Sequence, residues 1–112
     1  MKKIEAYIQT FMLNKVEDAL RAIHLHGMSV MDIRGFGREK DESYPHHTAD
    51  YTVNFTPKTK IEIICSAADC DKIVEALRKA AHTGRKGDGK IFVYEVSKAV
   101  SILNGKQGEE AI

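Results

Sequence analysis

The 112-residue sequence predicts an α+β fold, with one four-stranded antiparallel sheet covered on one face by two helices. Two observations carry this. Short segments with apolar and β-branched residues, two of them alternating at period two, read as strands. Two others place apolar residues at helical spacing. Their order along the chain is β-α-β-β-α-β.

Each element has its own justification. Ile4, Ala6 and Ile8 alternate with Glu5 and Tyr7, as in a half-buried strand. A helix follows, with Asn14 as its expected cap and Val16, Ala19, Leu20 and Ile23 on one face. Gly27 is its expected stop. Met28 to Arg34 reads as a second strand leading to Gly35-Phe36-Gly37. In 58–65, Ile61 and Ile63 alternate with Lys60 and Glu62, giving a third strand. Ser66 and Asp69 resemble a capping box for a second helix, whose inner face carries Cys70, Ile73, Val74, Leu77 and Ala81. Ile91 to Val96 is the fourth strand. The tail from Asn104 to Ile112 is polar and weakly patterned, although Val100, Ile102 and Leu103 suit a short extra element. This is the ferredoxin-like βαββαβ arrangement, read as a single domain over 1–112.

Composition limits the function classes. Seventeen basic and sixteen acidic residues leave a net charge of +1, which gives no electrostatic case for nucleic acid or an anionic membrane. No apolar run approaches the roughly 20 residues of a membrane span, so direct membrane insertion is not expected. The N-terminal residues lack a signal-peptide core, and a cytoplasmic setting is the expectation. Cys65 and Cys70 suit it as reduced thiols, and their C-x4-C spacing without a second pair argues against structural zinc.

The stretch from Thr83 to Val93 carries the chemistry. Gly84, Gly87 and Gly89 are interleaved with Arg85, Lys86 and Lys90, directly before an apolar strand. Glycines allow close backbone approach and expose N–H groups, and the cations match phosphate oxygens. The same residues also suit a simple tight turn with solvated lysines, and both readings stand at this point. The pattern is neither a Walker A loop nor a dinucleotide fingerprint. A second unusual stretch runs from about Arg38 to Thr56, between the second and third strands. A connection this long in a small domain is functional or disordered, and here it would project outward.

These residues together resemble the PII signal-transduction proteins. The resemblance spans essentially the whole chain: Met1-Lys2-Lys3-Ile4-Glu5-Ala6, Gly27-Met28, Gly35-Phe36-Gly37-Arg38, Tyr51-x-Val53-x-Phe55-x-Pro57-Lys58, Lys60-Ile61-Glu62-Ile63, Thr83-Gly84, Gly87 to Val93 and Ala111-Ile112. It implies a homotrimer with ATP or ADP in the clefts between subunits. The loop at 38–56 would be the T-loop, which docks on a regulated partner such as an ammonium transporter or a nitrogen-assimilation enzyme or regulator. Members are regulators rather than enzymes, and many bind 2-oxoglutarate through the Mg2+ of bound ATP. By residue, the resemblance places Gly35, Gly37 and Arg38 near the nucleotide at the loop base. It has Gly87, Asp88, Gly89 and Lys90 cradling phosphates, and Ser29 and Ile64 near the base. Tyr7 stands where an isoleucine is usual.

The sequence departs from the family pattern at several positions. Glu39 replaces a glutamine that helps hold Mg2+ and 2-oxoglutarate. A carboxylate still suits Mg2+ but repels a dicarboxylate, although the pairing lysine is kept as Lys58. Ser101 and Leu103 replace two arginines that reach ATP phosphates from the neighbouring subunit, which shifts the expectation towards ADP. Gln9 and Thr10 replace Lys-Pro after the first strand, removing one charge near the site. Tyr51 matches a position uridylylated in some members, but its surroundings differ, and a plain exposed tyrosine is the reading favoured.

Three functions follow for comparison. The leading one is a nucleotide-sensing regulator of a partner protein. The alternative is a metal-responsive adaptor of a membrane transporter using His46 and His47, since imidazoles suit Zn, Cu or Ni. The third is a phosphoryl-transfer enzyme, opposed by the lack of a base or nucleophile constellation beside the glycine turn. His82 is the nearest candidate there, and a helix-end role suits it better.

Overall fold

The computed structural model describes residues 1–37, 43 and 55–112. The expected elements stand in the expected order: β1 (Lys2–Gln9), α1 (Leu13–Ala22), β2 (Ser29–Gly35), β3 (Thr56–Cys65), α2 (Ala67–Ala81) and β4 (Gly89–Glu95). The strands form one sheet in the order β2-β3-β1-β4, with every pairing antiparallel. The interior strands, β1 and β3, carry the buried strand residues, whereas β2 and β4 at the edges carry none.

Register fixes which side chains share a face. Ile4 lies opposite Ile63 and Val93, and Ala6 lies opposite Ile61 and Ile91. This face meets the helices. Its core joins Ile4, Ala6, Ile8, Ile61 and Ile63 to Val16 and Leu20 of α1 and to Cys70, Ile73 and Leu77 of α2. The predicted helix faces are thus the buried ones.

The other sheet face is not covered by a helix, and it carries charge. Glu5 is 8% exposed there. Lys3 Nζ and Lys60 Nζ each lie 3.5 Å from its carboxylate. The Tyr7 hydroxyl donates to Glu5 at 2.5 Å, while the Tyr7 ring meets Phe92 edge-on at 6.1 Å. The Tyr7 hydrogen bond outweighs desolvation and, with Lys60 and Lys3, holds the Glu5 carboxyl below the usual carboxylate range. A buried acid is tolerated mid-sheet because donors surround it.

Helix ends differ from expectation at one helix and agree at the other. Asn14 does not cap α1. A 3-10 turn over Thr10–Met12 leads straight from β1 into the helix, Met12 takes the cap position without a side-chain hydrogen bond, and Asn14 lies inside the first turn. Nor does Gly27 end it. His24 adopts the left-handed conformation with φ of 62°. Its N–H donates to Arg21 O at 3.0 Å, and the Leu25 N–H donates to Leu20 O at 3.1 Å. That is a Schellman motif, with Leu25 returning to the core as its apolar lock. At α2 the capping residue is the expected one, since Ser66 Oγ accepts from Asp69 N at 3.3 Å.

The tail is more ordered than its composition suggests. Val100 bridges Gln107, Ser101 N donates to Lys106 O at 2.8 Å, and a 3-10 turn spans Gly108–Ala111. Ile102 and Leu103 sit at the hairpin tip, 105% and 92% exposed.

Two outcomes are expected. His24→Gly relieves a left-handed non-glycine residue and raises unfolding free energy by about 1 kcal/mol in urea titration. Gly89 has φ of +110°, and a Cβ there would lie 1.7 Å from Tyr7 O. Gly89→Ala therefore lowers stability by at least about 2 kcal/mol in the same assay.

Candidate functional site

The connection from α2 to β4 is built by a carboxylate and three glycines. His82 caps the C-terminus of α2 in an extended conformation and turns the chain outward. Asp88 then staples the turn. Its Oδ2 accepts from Thr83 N at 2.8 Å and Gly84 N at 2.9 Å, and its Oδ1 accepts from the Thr83 hydroxyl. Thr83 Oγ1 in turn accepts from Arg85 N at 3.2 Å. His82 Nδ1 stands 3.6 Å from Asp88 Oδ2. Partial burial raises the Asp88 pKa, but the Thr83 and Gly84 donors together hold it below the usual carboxylate value. The staple is thus ionised at neutral pH, and its stabilisation is lost only as pH falls through that lowered value.

The carboxylate of Asp88 is therefore committed to its own loop. This narrows the sequence-based reading, in which Asp88 cradles phosphate: the carboxylate accepts from Thr83 and Gly84 of its own loop. Gly87 has φ of 99°, so a side chain at that position would be strained.

Two distant side chains hold the loop to the sheet. Gln9 Nε2 donates to Gly87 O at 2.9 Å, and Lys58 Nζ donates to the same oxygen at 2.8 Å. Gln9 and Lys58 are register partners on β1 and β3, so their side chains share a face and converge. At the start of β3, Thr56 Oγ1 donates to Gly35 O of β2 at 3.0 Å. Gly35, Lys58, Gly87 and Gly89 thus gather at one end of the sheet, with Gly37 just beyond β2. Beside the loop lies a groove of about 420 Å3, lined by Val74, Arg78, His82, Gly89, Lys90 and Ile91 among others. Arg78 there is tied to Glu75 at 2.9 Å.

The expected base contacts lie elsewhere in the chain. Ser29 pairs with Glu62 and Ile64 with Lys3, towards the other half of the sheet. Glu62 faces Glu5, four residues or about 13 Å along β1 from Gln9. Tyr7 is engaged by Glu5, Phe92 and Lys60 on the helix-free face. Ser101 and Leu103 belong to the tail hairpin. Arg38, Glu39, His46, His47 and Tyr51 lie outside the described residues. Among the described residues no group of three His, Cys, Asp or Glu side chains is placed to hold a metal ion. None of their helices is long and apolar enough to cross a membrane.

Sequence reasoning treated Gln9 as the loss of a charge and missed its bond to Gly87. Nothing local could have shown it, because the two residues are 78 positions apart. Gln9 was also expected to follow the first strand, whereas β1 runs through it and so puts it on the face of Glu5 and Tyr7; continuing the alternation by two residues is the signal that could have placed it there.

Comparison with known proteins agrees with this arrangement. The family model described as nitrogen regulatory protein P-II matches residues 1–106. The nitrogen regulatory protein P-II of Rhodospirillum rubrum is 46% identical over 112 residues, covering all of both chains. That of Pasteurella multocida is 44% identical with the same coverage. The crystal structure of Arabidopsis thaliana PII bound to citrate superposes with a TM-score of 0.81 at 32% identity, covering 99% of this chain and 91% of that one. The ferredoxin-like fold, the glycine turn at the sheet end and these full-length matches agree: the chain belongs to the nitrogen regulatory protein P-II family.

Proposed function

We propose that the protein is a regulator that binds ATP or ADP at the glycine turn and controls a partner protein through the loop at 38–56. The observation that carries this reading is the convergence of Gly35, Gly87, Gly89 and Lys90 at the sheet end that also holds Lys58. Backbone N–H groups and cations there match a polyphosphate in charge and reach. Membership of the P-II family supports a regulatory rather than catalytic role.

The assignments follow the family reading. Gly87, Gly89, Lys90 and the Asp88 N–H hold phosphates, and Gly35, Gly37 and Arg38 border them at the loop base. Ser29 and Ile64 lie too far along the sheet to complete the same site from one chain, which suits a nucleotide held between subunits of a homotrimer. The helix-free face supports such assembly, since Ile64, Phe92 and Tyr94 are 43%, 44% and 48% exposed on it. Glu39 is assigned to Mg2+ beside the nucleotide. Its charge opposes a dicarboxylate at Lys58, so 2-oxoglutarate is not part of the proposal. The partner is a regulated enzyme, regulator or membrane transporter, an ammonium transporter among them.

Calorimetry with ATP and ADP tests the reading. Binding is expected with micromolar to submillimolar Kd, and Lys90→Ala weakens it about 10-fold through loss of one charge-assisted contact. Absence of binding at millimolar nucleotide overturns the proposal. Amide exchange across residues 38–56 is expected to differ between the ATP and ADP complexes, and identical protection removes the loop's role as the readout.

A further inference from the structure

Glycine at 87 and 89 leaves an ambiguity that the loop cannot resolve by itself. The peptide joining Gly87 to Asp88 is planar and trans, so its carbonyl and its N–H point in opposite directions. With glycine on one side of it, this peptide can rotate at little steric cost. One orientation presents the Asp88 N–H towards a ligand. The other presents the Gly87 carbonyl oxygen, which repels an anion. Something outside the loop must choose.

We propose that Gln9 is the positioning residue that makes this choice: by holding Gly87 O towards the sheet, it turns the Asp88 N–H outward as a phosphate donor. The proposal rests on the nucleotide reading above and deepens it. Gln9 is suited to the task in three respects. It is 0% exposed, so its amide is held by packing before any ligand arrives. It sits at the end of β1, with its backbone fixed by the strand register opposite Lys58. Its Nε2 lies 2.9 Å from Gly87 O, a normal hydrogen-bond distance.

Lys58 also donates to that oxygen, at 2.8 Å, but the two donors are not equivalent. A carbonyl oxygen accepts two hydrogen bonds, so both are accommodated. An ammonium carries a full charge and is drawn strongly to a nearby carboxylate or phosphate, whereas a neutral amide donates to them more weakly. Gln9 therefore keeps the peptide oriented when an anionic ligand competes for Lys58. A residue that reads as a lost charge thus supplies a constant, ligand-independent latch.

The experiment compares the wild-type protein with Gln9→Met, which keeps the side-chain length and removes the donor, and Gln9→Leu, which removes the donor with a different apolar shape. ADP affinity is measured by calorimetry, and backbone amides are followed in 1H–15N spectra. Gln9→Met is expected to weaken ADP binding roughly 3- to 10-fold, the loss of one intramolecular hydrogen bond. Its ligand-free spectrum changes at the Gly87, Asp88 and Gly89 amides, and Gln9→Leu gives the same loss and the same local change. ADP affinity unchanged in Gln9→Met overturns the proposal. So does an effect confined to one of the two variants, which marks packing rather than the lost donor, or a spectral change spread through the core strands. A wild-type protein that does not bind ADP overturns the nucleotide reading instead, and the Asp88 amide shift in ligand-free Gln9→Met then still tests the latch.

Discussion

β4 can join this sheet only because residue 89 has no side chain. Its backbone passes so close to the Tyr7 carbonyl that a Cβ would lie 1.7 Å from the oxygen. Once that approach is made, Gly89 pairs with Ile8 and the register runs on through Ile91 opposite Ala6 to Glu95 opposite Lys2. A salt bridge between Lys2 and Glu95 closes the far end. The same approach sets where the preceding loop must stand. Its start is fixed by the end of α2 and its finish by the end of β1, so the loop is positioned by the sheet more than by its own contacts.

The two faces of the sheet divide the work. One packs against α1 and α2 through isoleucine and leucine and stabilises the fold by burying apolar area. The other holds Lys3, Glu5, Tyr7, Lys60 and Glu62 in one network of ion pairs and a short hydrogen bond. Burying charge is costly unless it is paired, and here each acid has at least two cationic neighbours within 3.5 Å. Such a face, with aromatic rings of Phe92 and Tyr94 beside it, is chemically unlike the core. It leaves the sheet end, where β1, β3 and β4 meet, as the place where polar backbone and cations converge.

Within that end, side chain and backbone have separate tasks. The Asp88 carboxylate closes the turn on Thr83 and Gly84, and the Gly87 carbonyl is held by Gln9 and Lys58. The first contact is internal to the loop and the second ties it to β1 and β3; together they define its shape. An anion would then meet N–H groups and lysine rather than the carboxylate, which resolves the oddity of an acid in a loop suited to phosphate.

Much of this was legible in the sequence. Alternation of Ile4, Ala6 and Ile8, and of Ile61 and Ile63, fixed strands and their inward faces, because a strand's side-chain period is two. Cys70, Ile73 and Leu77 located the buried stripe of α2 by the helical period, and Ser66 located its start by local hydrogen bonding. Asn14 and Gly27 misled because helix ends depend on the path of the chain. A 3-10 turn entered α1 directly, and His24 accepted a left-handed conformation so that Leu25 could reach the core. The sequence by itself determined the elements, their order, the buried faces and the glycine turn, since these follow from periodicity and local conformational preference. Only the tertiary structure decided that Gln9 and Lys58 meet Gly87, that Asp88 serves its own loop, and that Ser29 and Ile64 stand apart from that loop. Those contacts join residues from distant parts of the chain, and strand register alone brings them together or holds them apart.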